Sequence, residues 1–137
     1  MSFEILPHTA DVRVKVVGQS LEELFLESLE GMNELMCVGF RKQQTKITIQ
    51  KTLKITALNS TMLLVYFLSE VLTLSHIHHA IFCKVEFKKL SDATLEAKIF
   101  GTKTKKIEKD IKAVSYHEAK IKKNKNGDHE TILVFDI

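Results

Sequence analysis

The stretch that decides the fold is residues 59–72, which read NSTMLLVYFLSEVL. Asn59 or Ser60 can cap a helix at its start, and apolar residues then recur at helical spacing. They are Leu63, Leu64, Phe67, Leu68, Val71 and Leu72. Because the first turns are apolar almost all round, this segment predicts a central helix that is buried inside the protein.

Another helix is predicted upstream, after a strand. Valines at every second position of residues 12–16 predict a β-strand that ends at Gly18. Ser20, with Glu23 three positions later, forms a capping box, which marks the start of a helix. The apolar stripe that follows predicts a helix that ends by Gly39. Its members are Leu21, Leu24, Phe25, Leu29, Met32, Leu35 and Met36.

Strand patterns dominate the remaining chain. Residues 45–57 alternate apolar and polar side chains, but Lys51 interrupts the apolar face, so this segment is either one long strand or a tight hairpin. Asn126-Gly127 is a strong hairpin signal before the closing strand. Strands interrupted by two helices, without repeating strand–helix units, indicate an α+β fold with largely antiparallel sheets. The length indicates a single domain over residues 1–137. The other strands are predicted at 81–87, 93–99, 113–122 and 131–137.

The composition is that of a globular protein, with 45% hydrophobic and 27% charged residues. The longest apolar run, residues 62–68, is far shorter than the ~20 residues of a membrane helix. Residues 1–7 lack the basic and apolar regions of a signal peptide. We therefore expect a cytoplasmic protein without membrane contact, in which Cys37 and Cys83 are buried free thiols.

The charge is unevenly distributed along the chain. Residues 84–125 contain 13 lysines, no arginine and 6 acidic residues, a net charge of +7, whereas the remainder holds 7 basic and 11 acidic residues, a net charge of −4. A basic segment can bind RNA or a polar partner, but solvated strand faces are the commoner cause of such a pattern. The lysines are not interleaved with aromatic residues, which stack on bases, or with arginines, which make bidentate contacts with phosphates. The segment therefore lacks the residues that usually support RNA binding.

The common enzyme signatures are absent from the sequence. It has no glycine-rich phosphate loop, serine elbow, paired cysteine ligands or His-x-x-x-His helix motif. His76, His78 and His79 follow the apolar stripe of the central helix and could bind a soft divalent metal. Histidines at a helix C-terminus more often complement its dipole.

Two acidic residues break the apolar pattern. Asp11 lies where the predicted valine strand begins, and Asp136 lies in the most hydrophobic strand, one residue before Ile137. With the terminal carboxylate of Ile137, two strand ends would supply an all-oxygen site suited to a hard cation such as Ca²⁺ or Mg²⁺. The alternative is that Asp136 is exposed at the chain end and Asp11 only caps a turn, since acids at strand ends are common.

Several ordered motifs resemble those of the archease family. The first comprises Phe3-Glu4 and the run His8-Thr9-Ala10-Asp11-Val12. The later ones are Gly18 followed by Ser20-Leu21-Glu22-Glu23-Leu24-Phe25, then Leu63-Leu64 and Phe67-Leu68, then Ile111-Lys112-Ala113-Val114-Ser115-Tyr116-His117, and finally Val134-Phe135-Asp136-Ile137. The family more often has threonine at the position of Ser115. The resemblance extends over the whole chain.

The resemblance implies an accessory protein of the RtcB-type RNA ligase, which joins tRNA halves after intron removal. Archeases promote guanylylation of the ligase and its repeated turnover, and contact with tRNA is through the ligase. The resemblance also implies a divalent cation, Ca²⁺ or another hard cation such as Mg²⁺ or Mn²⁺, held by Asp11, Asp136 and the carboxylate of Ile137. His8 and His117 match family motifs as possible supporting residues around the site, or as packing residues.

One position departs from the family pattern. Many members carry an aspartate near Cys37-Val38-Gly39, where this sequence has none. That departure predicts a weaker or altered site if the acid contributes to it. The alternative function is a binding module for tRNA or a tRNA methyltransferase, or a chaperone-like module, with a purely structural metal site. The sequence does not indicate an oligomeric state.

Overall fold

Two antiparallel sheets and two helices make up the secondary structure of the described residues. This computed structural model describes residues 2–6, 11–40, 46–105, 107–116 and 118–137. The elements are β1 (Ser2–Leu6), β2 (Asp11–Gly18), α1 (Leu21–Met36), β3 (Ile49–Thr56), α2 (Ser60–His78), β4 (Ala80–Leu90), β5 (Thr94–Lys103), β6 (Ala113–Ser115), β7 (Lys122–Lys123) and β8 (His129–Asp136). The predicted α+β class with antiparallel sheets and two helices is confirmed.

Strand β8 organises the larger sheet. That sheet has the order β1-β2-β8-β6, with β7 also paired to β8, and the smaller sheet has the order β3-β5-β4. Each helix contacts both sheets, so the apolar faces of all these elements meet in one core. In that core, Val14 of β2, Phe25 of α1 and Phe135 of β8 are fully buried.

The central helix α2 forms as the sequence predicts. Asn59 caps it, because its Oδ1 accepts a hydrogen bond from the backbone N–H of Met62 at 2.9 Å. The helix ends at His79, which adopts a left-handed conformation and donates its N–H to the carbonyl of Ser75. All six members of the predicted apolar stripe are buried.

By length and composition alone, the 19-residue α2 is apolar enough to cross a membrane. The longest uninterrupted apolar run therefore understated the apolar length of this helix. Core helices have the same composition, and eight residues of α2 are buried in the fold. Burial of these eight residues in the core accounts for part of the apolar composition of α2.

Helix α1 begins with a variant of the predicted capping box. Ser20 Oγ accepts from the N–H of Glu23 at 3.1 Å, while the Glu23 carboxylate accepts from the N–H of Gln19 at 3.1 Å instead of that of Ser20. One N–H group of the first turn, that of Glu23, and the N–H of Gln19 just before the cap are thereby satisfied. The helix ends at Met36, with Cys37 as its cap.

One strand was missed, one strand prediction is wrong, and one open alternative is resolved. Residues 2–6 form strand β1, which the sequence pattern did not predict. Residues 113–122 are not one strand, because Glu118 has a φ of 72° and the N–H of Ile121 bonds to Thr61 Oγ1 of α2 at 3.1 Å. Of the two alternatives for the segment after residue 45, the single strand is confirmed, as β3 over Ile49–Thr56.

At Gly18, the end of β2 packs so closely against the first turn of α1 that there is no room for a side chain. A Cβ atom there would lie 2.5 Å from the backbone N of Leu24 and 2.9 Å from the carbonyl carbon of Glu23. Backbone atoms at these positions cannot rotate away. We expect Gly18→Ala to lower the free energy of unfolding by about 3 kcal/mol, measured by urea denaturation.

Gly31→Ala is the matched control for that variant. A Cβ at Gly31 would approach the Val14 side chain at 3.3 Å and Phe3 Cγ at 3.4 Å. These side chains can shift, and alanine also favours the helix, so its loss of stability is expected to be smaller. Equal losses in the two variants would contradict the backbone-contact argument.

Candidate functional site

Asp11 and Asp136 face each other directly across two neighbouring strands. Asp11 is the first residue of β2 and Asp136 the last of β8, and the two are paired in the antiparallel register. On its other side, Asp136 pairs with Ala113 of β6. Residues directly opposed in a sheet project to the same face, with Cβ atoms about 5 Å apart. Two carboxylates separated by 125 positions in the sequence are thus neighbours.

These two aspartates differ in their exposure. Asp11 is half-buried and its Oδ1 atom is buried, whereas Asp136 is exposed. The adjacent Ile137 is 42% exposed. We call Asp11, Asp136 and Ile137 the carboxylate tip. Like charges directly opposed in a sheet are destabilising, so this end of the sheet favours a cation.

The segment before β6 holds the end of β8 in place. The N–H of Lys112 donates to the carbonyl of Asp136 at 2.7 Å. Just before it, the carbonyl of Ile111 accepts a hydrogen bond from His76 Nε2 at 3.0 Å. His76 Nε2 also lies 3.5 Å from Asp110 Oδ1. The last turn of α2 therefore anchors the segment that positions the carboxylate tip.

An arginine lies beside the tip but is engaged elsewhere. Arg13 is two positions from Asp11 on the same face of β2 and contacts Glu118 Oε1 at 2.8 Å. This ion pair joins β2 to the loop between β6 and β7. Sequence reasoning missed all three neighbours of the tip: Arg13 could have been found from the alternation of β2, whereas His76 and Lys112 are brought there by tertiary contacts.

The other predicted site residues have different outcomes. His8 and His117 lie outside the described residues, so their supporting role stays a prediction. Within the described ranges, no group of three or more His, Cys, Asp or Glu side chains is placed to hold a metal. The proposed third ligand, the carboxylate of Ile137, is a main-chain group.

The three histidines near the end of α2 have different surroundings. His76 bonds to the segment before β6, as described above, and His79 is an exposed helix cap. Partial burial lowers the pKa of His78, and the positive charges of Lys51 and Lys103 lower the same pKa further. The two lysines would also repel a metal cation, so the structure does not favour a metal site on these histidines.

An acid of α1 contacts the corner at residues 37–39, a contact that the sequence pattern did not reveal. Glu34 Oε1 accepts a hydrogen bond from the N–H of Gly39 at 2.7 Å. Its carboxylate therefore comes from within α1 and accepts a backbone hydrogen bond at the corner that follows the helix. Cys37 is buried and Cys83 only half-buried, and both are free thiols.

Comparison with known proteins gives a consistent family match. The archease protein family (MTH1598/TM1083) matches residues 3–137. Protein archease of Pyrococcus furiosus is 30% identical, covering 98% of this chain and 98% of that protein. Protein archease of Saccharolobus islandicus is 30% identical, covering 97% of each.

Solved structures share the fold. The solution structure of protein 1598 of Methanobacterium thermoautotrophicum has a TM-score of 0.76 at 23% identity and covers 98% of each chain. The crystal structure of an archease from Thermotoga maritima, described as a possible chaperone, has a TM-score of 0.66 at 23% identity, covering 96% of this chain and 94% of the other. The family match over nearly the whole chain and the 30% identical relatives show that this protein belongs to the archease family.

Proposed function

We propose that this protein is a cytoplasmic, non-enzymatic cofactor of an RtcB-type RNA ligase, and that it promotes guanylylation and multiple turnover of the ligase. The observation that supports the proposal most directly is the pairing of Asp11 with Asp136 across β2 and β8. The family resemblance assigns cation binding to these same positions. In this proposal the ligase performs all the covalent chemistry and makes the contact with tRNA.

The residues of the carboxylate tip fit a hard cation. Asp11, Asp136 and the carboxylate of Ile137 would offer only oxygen ligands, which Ca²⁺ prefers and which Mg²⁺ or Mn²⁺ also accept. A bound cation would interact favourably with the negative charge of Asp11, whose Oδ1 is shielded from solvent. When bound, the cation would supply positive charge that cancels the repulsion between the two aspartates.

The chain's own residues would fix the shape of the tip. Asp11 and Asp136 lie on strands β2 and β8, which are bonded to each other along eight residue pairs. Lys112 and His76 add hydrogen bonds from two further elements. A carboxylate pair held on a rigid sheet loses little conformational entropy when it engages a partner, which suits a protein that must present the tip to the ligase active site.

The decisive experiment is single-turnover guanylylation of the cognate ligase, with and without this protein, in calcium and in chelator. The expected result is an acceleration that requires the metal ion. An acceleration that persists unchanged in chelator would contradict the role of the cation. If neither buffer gives an acceleration, the cofactor role itself is wrong.

The alternative is a module that binds tRNA or a tRNA methyltransferase, or acts as a chaperone, with a structural metal. Its support is the outer face of the smaller sheet, where Lys88 and Lys98 are exposed. However, Lys54 and Lys84 of the same face lie near Glu96 and Glu86, at 3.8 and 3.6 Å. If the lysines contact phosphates, the affinity for RNA should fall steeply as the salt concentration rises. In a plot of the logarithm of the association constant against the logarithm of the salt concentration, the expected slope is about −0.9 for each phosphate neutralised on a duplex.

A further inference from the structure

An exposed apolar surface adjoins the start of α2. Its members are Leu58 (86% exposed), Tyr116 (60%), Tyr66 (36%) and the partly buried Met62. We call these four residues the tyrosine surface, because both tyrosines of the chain are in it. Contiguous exposed apolar groups of this kind mark interaction sites, and tyrosine and methionine are enriched in protein interfaces.

The four residues form one continuous surface. Leu58, Met62 and Tyr66 are spaced four residues apart, so they lie along one side of α2 and its entry. They border a depression of about 370 Å³. Met62 also lines a second depression of about 560 Å³, which Tyr116 and Ile121 line as well. A partner could therefore insert side chains on both sides of Met62.

This surface is connected to the carboxylate tip through β6. Tyr116 follows Ser115 directly, and Ala113 at the start of the same strand pairs with Asp136. Three residues of strand span about 10 Å. A partner protein that covers the tip can therefore also contact Tyr116. The Arg13–Glu118 ion pair at 2.8 Å holds the loop after Tyr116 against β2.

The charge at the edge of the tyrosine surface indicates the partner's chemistry. Glu118 lines the larger depression but is paired with Arg13. Lys120 lines the same depression and is exposed, and within the described part of the chain it has no ion pair. Lys120 is therefore the unpaired charge among the residues that line this depression, and a positive group beside an apolar centre complements an apolar side chain that has a carboxylate next to it.

We propose that the tyrosine surface is a second docking site for the ligase, which engages it through an apolar anchor bordered by acidic residues while the carboxylate tip reaches the active site. This inference rests on the proposed function. The tip would act on the guanylylation step, and the tyrosine surface would supply much of the affinity. Binding and activation then depend on different residues of this protein.

The test compares Leu58→Ser and Tyr116→Ser with the matched control Ile77→Ser. Ile77 is 63% exposed near the other end of α2, so its substitution removes a similar apolar group away from the tyrosine surface. For the cognate ligase, we expect each of the first two variants to weaken the Kd at least tenfold, with Ile77→Ser within twofold of wild type. Lys120→Glu should slow association at low salt. Calcium affinity should stay unchanged in all four variants.

Other outcomes separate the two proposals. If wild type accelerates guanylylation and both surface variants bind the ligase as tightly as wild type, the docking inference is overturned and the proposed function stands. If wild type neither binds nor activates the ligase, both fail. If sedimentation shows a wild-type dimer that Leu58→Ser converts to monomer, the surface joins two copies of this chain, which overturns its assignment to the ligase.

Discussion

Replacing Asp136 by asparagine is expected to abolish calcium binding and the calcium-dependent stimulation of the ligase, while the protein remains folded. Asp136 is exposed and its side chain directly opposes Asp11. The substitution removes a ligand charge and also removes the repulsion between the two carboxylates. Without metal, the variant should therefore be at least as stable as wild type. With calcium at a hundred times its Kd, wild type should gain about 2.7 kcal/mol, and the variant should gain nothing.

The measurement is thermal unfolding in calcium and in chelator, followed by the guanylylation assay. Glu130→Gln is the matched control, because Glu130 carries the same charge on the same face of β8, where it lies 3.7 Å from Lys15. It should keep the calcium response. A short extension after Ile137 should weaken the response, whereas an extension before residue 1 should not. A full calcium response in folded Asp136→Asn would refute the site.

The members of the carboxylate tip could be predicted from the sequence, but their arrangement could not. Asp11 and Asp136 interrupt apolar patterns, and such interruptions are visible in a single chain. Their direct opposition depends on which strands pair and in which register, and many registers satisfy the same alternation. The hydrogen bonds of His76 and Lys112 near the tip depend on that pairing as well.

The helices were predictable because each carries its own start signal and a long apolar stripe. Strand β1 has only five residues and is fixed by pairing with β2, so its local sequence carries little information. The segment 113–122 alternates like a strand, but the Thr61 hydroxyl of α2 accepts a hydrogen bond from the N–H of Ile121. That tertiary contact, with the left-handed backbone at Glu118, outweighs the local pattern.

Replacing Phe67 by alanine is expected to cause one of the largest losses of stability in this protein. Phe67 of α2 is fully buried, and its ring lies 5.6 Å from that of Phe25 in α1 and 6.3 Å from that of Phe87 in β4. The substitution leaves a cavity between both helices and the smaller sheet. We expect the free energy of unfolding to fall by about 3–5 kcal/mol, measured by urea denaturation.

Two controls test whether the cavity is the cause. Phe67→Leu keeps most of the volume and should lose much less stability. Tyr66→Ala, at the adjacent and partly exposed position, should lose less than Phe67→Ala. A loss below about 1 kcal/mol in Phe67→Ala would mean that the site collapses without cost, contrary to a close-packed core.

This variant also separates folding from function. A loss of about 3–5 kcal/mol is a large share of the 5–15 kcal/mol that stabilises a typical domain, so total stimulation of the ligase should track the folded fraction when temperature or urea is raised. Phe67 is not part of the carboxylate tip or the tyrosine surface, so the molecules that remain folded should keep the calcium affinity and the ligase affinity of wild type. Asp136→Asn should show the reverse, with full folding and no response to calcium. A folded fraction of Phe67→Ala that binds calcium more weakly would instead show that core packing under α2 sets the geometry of the tip.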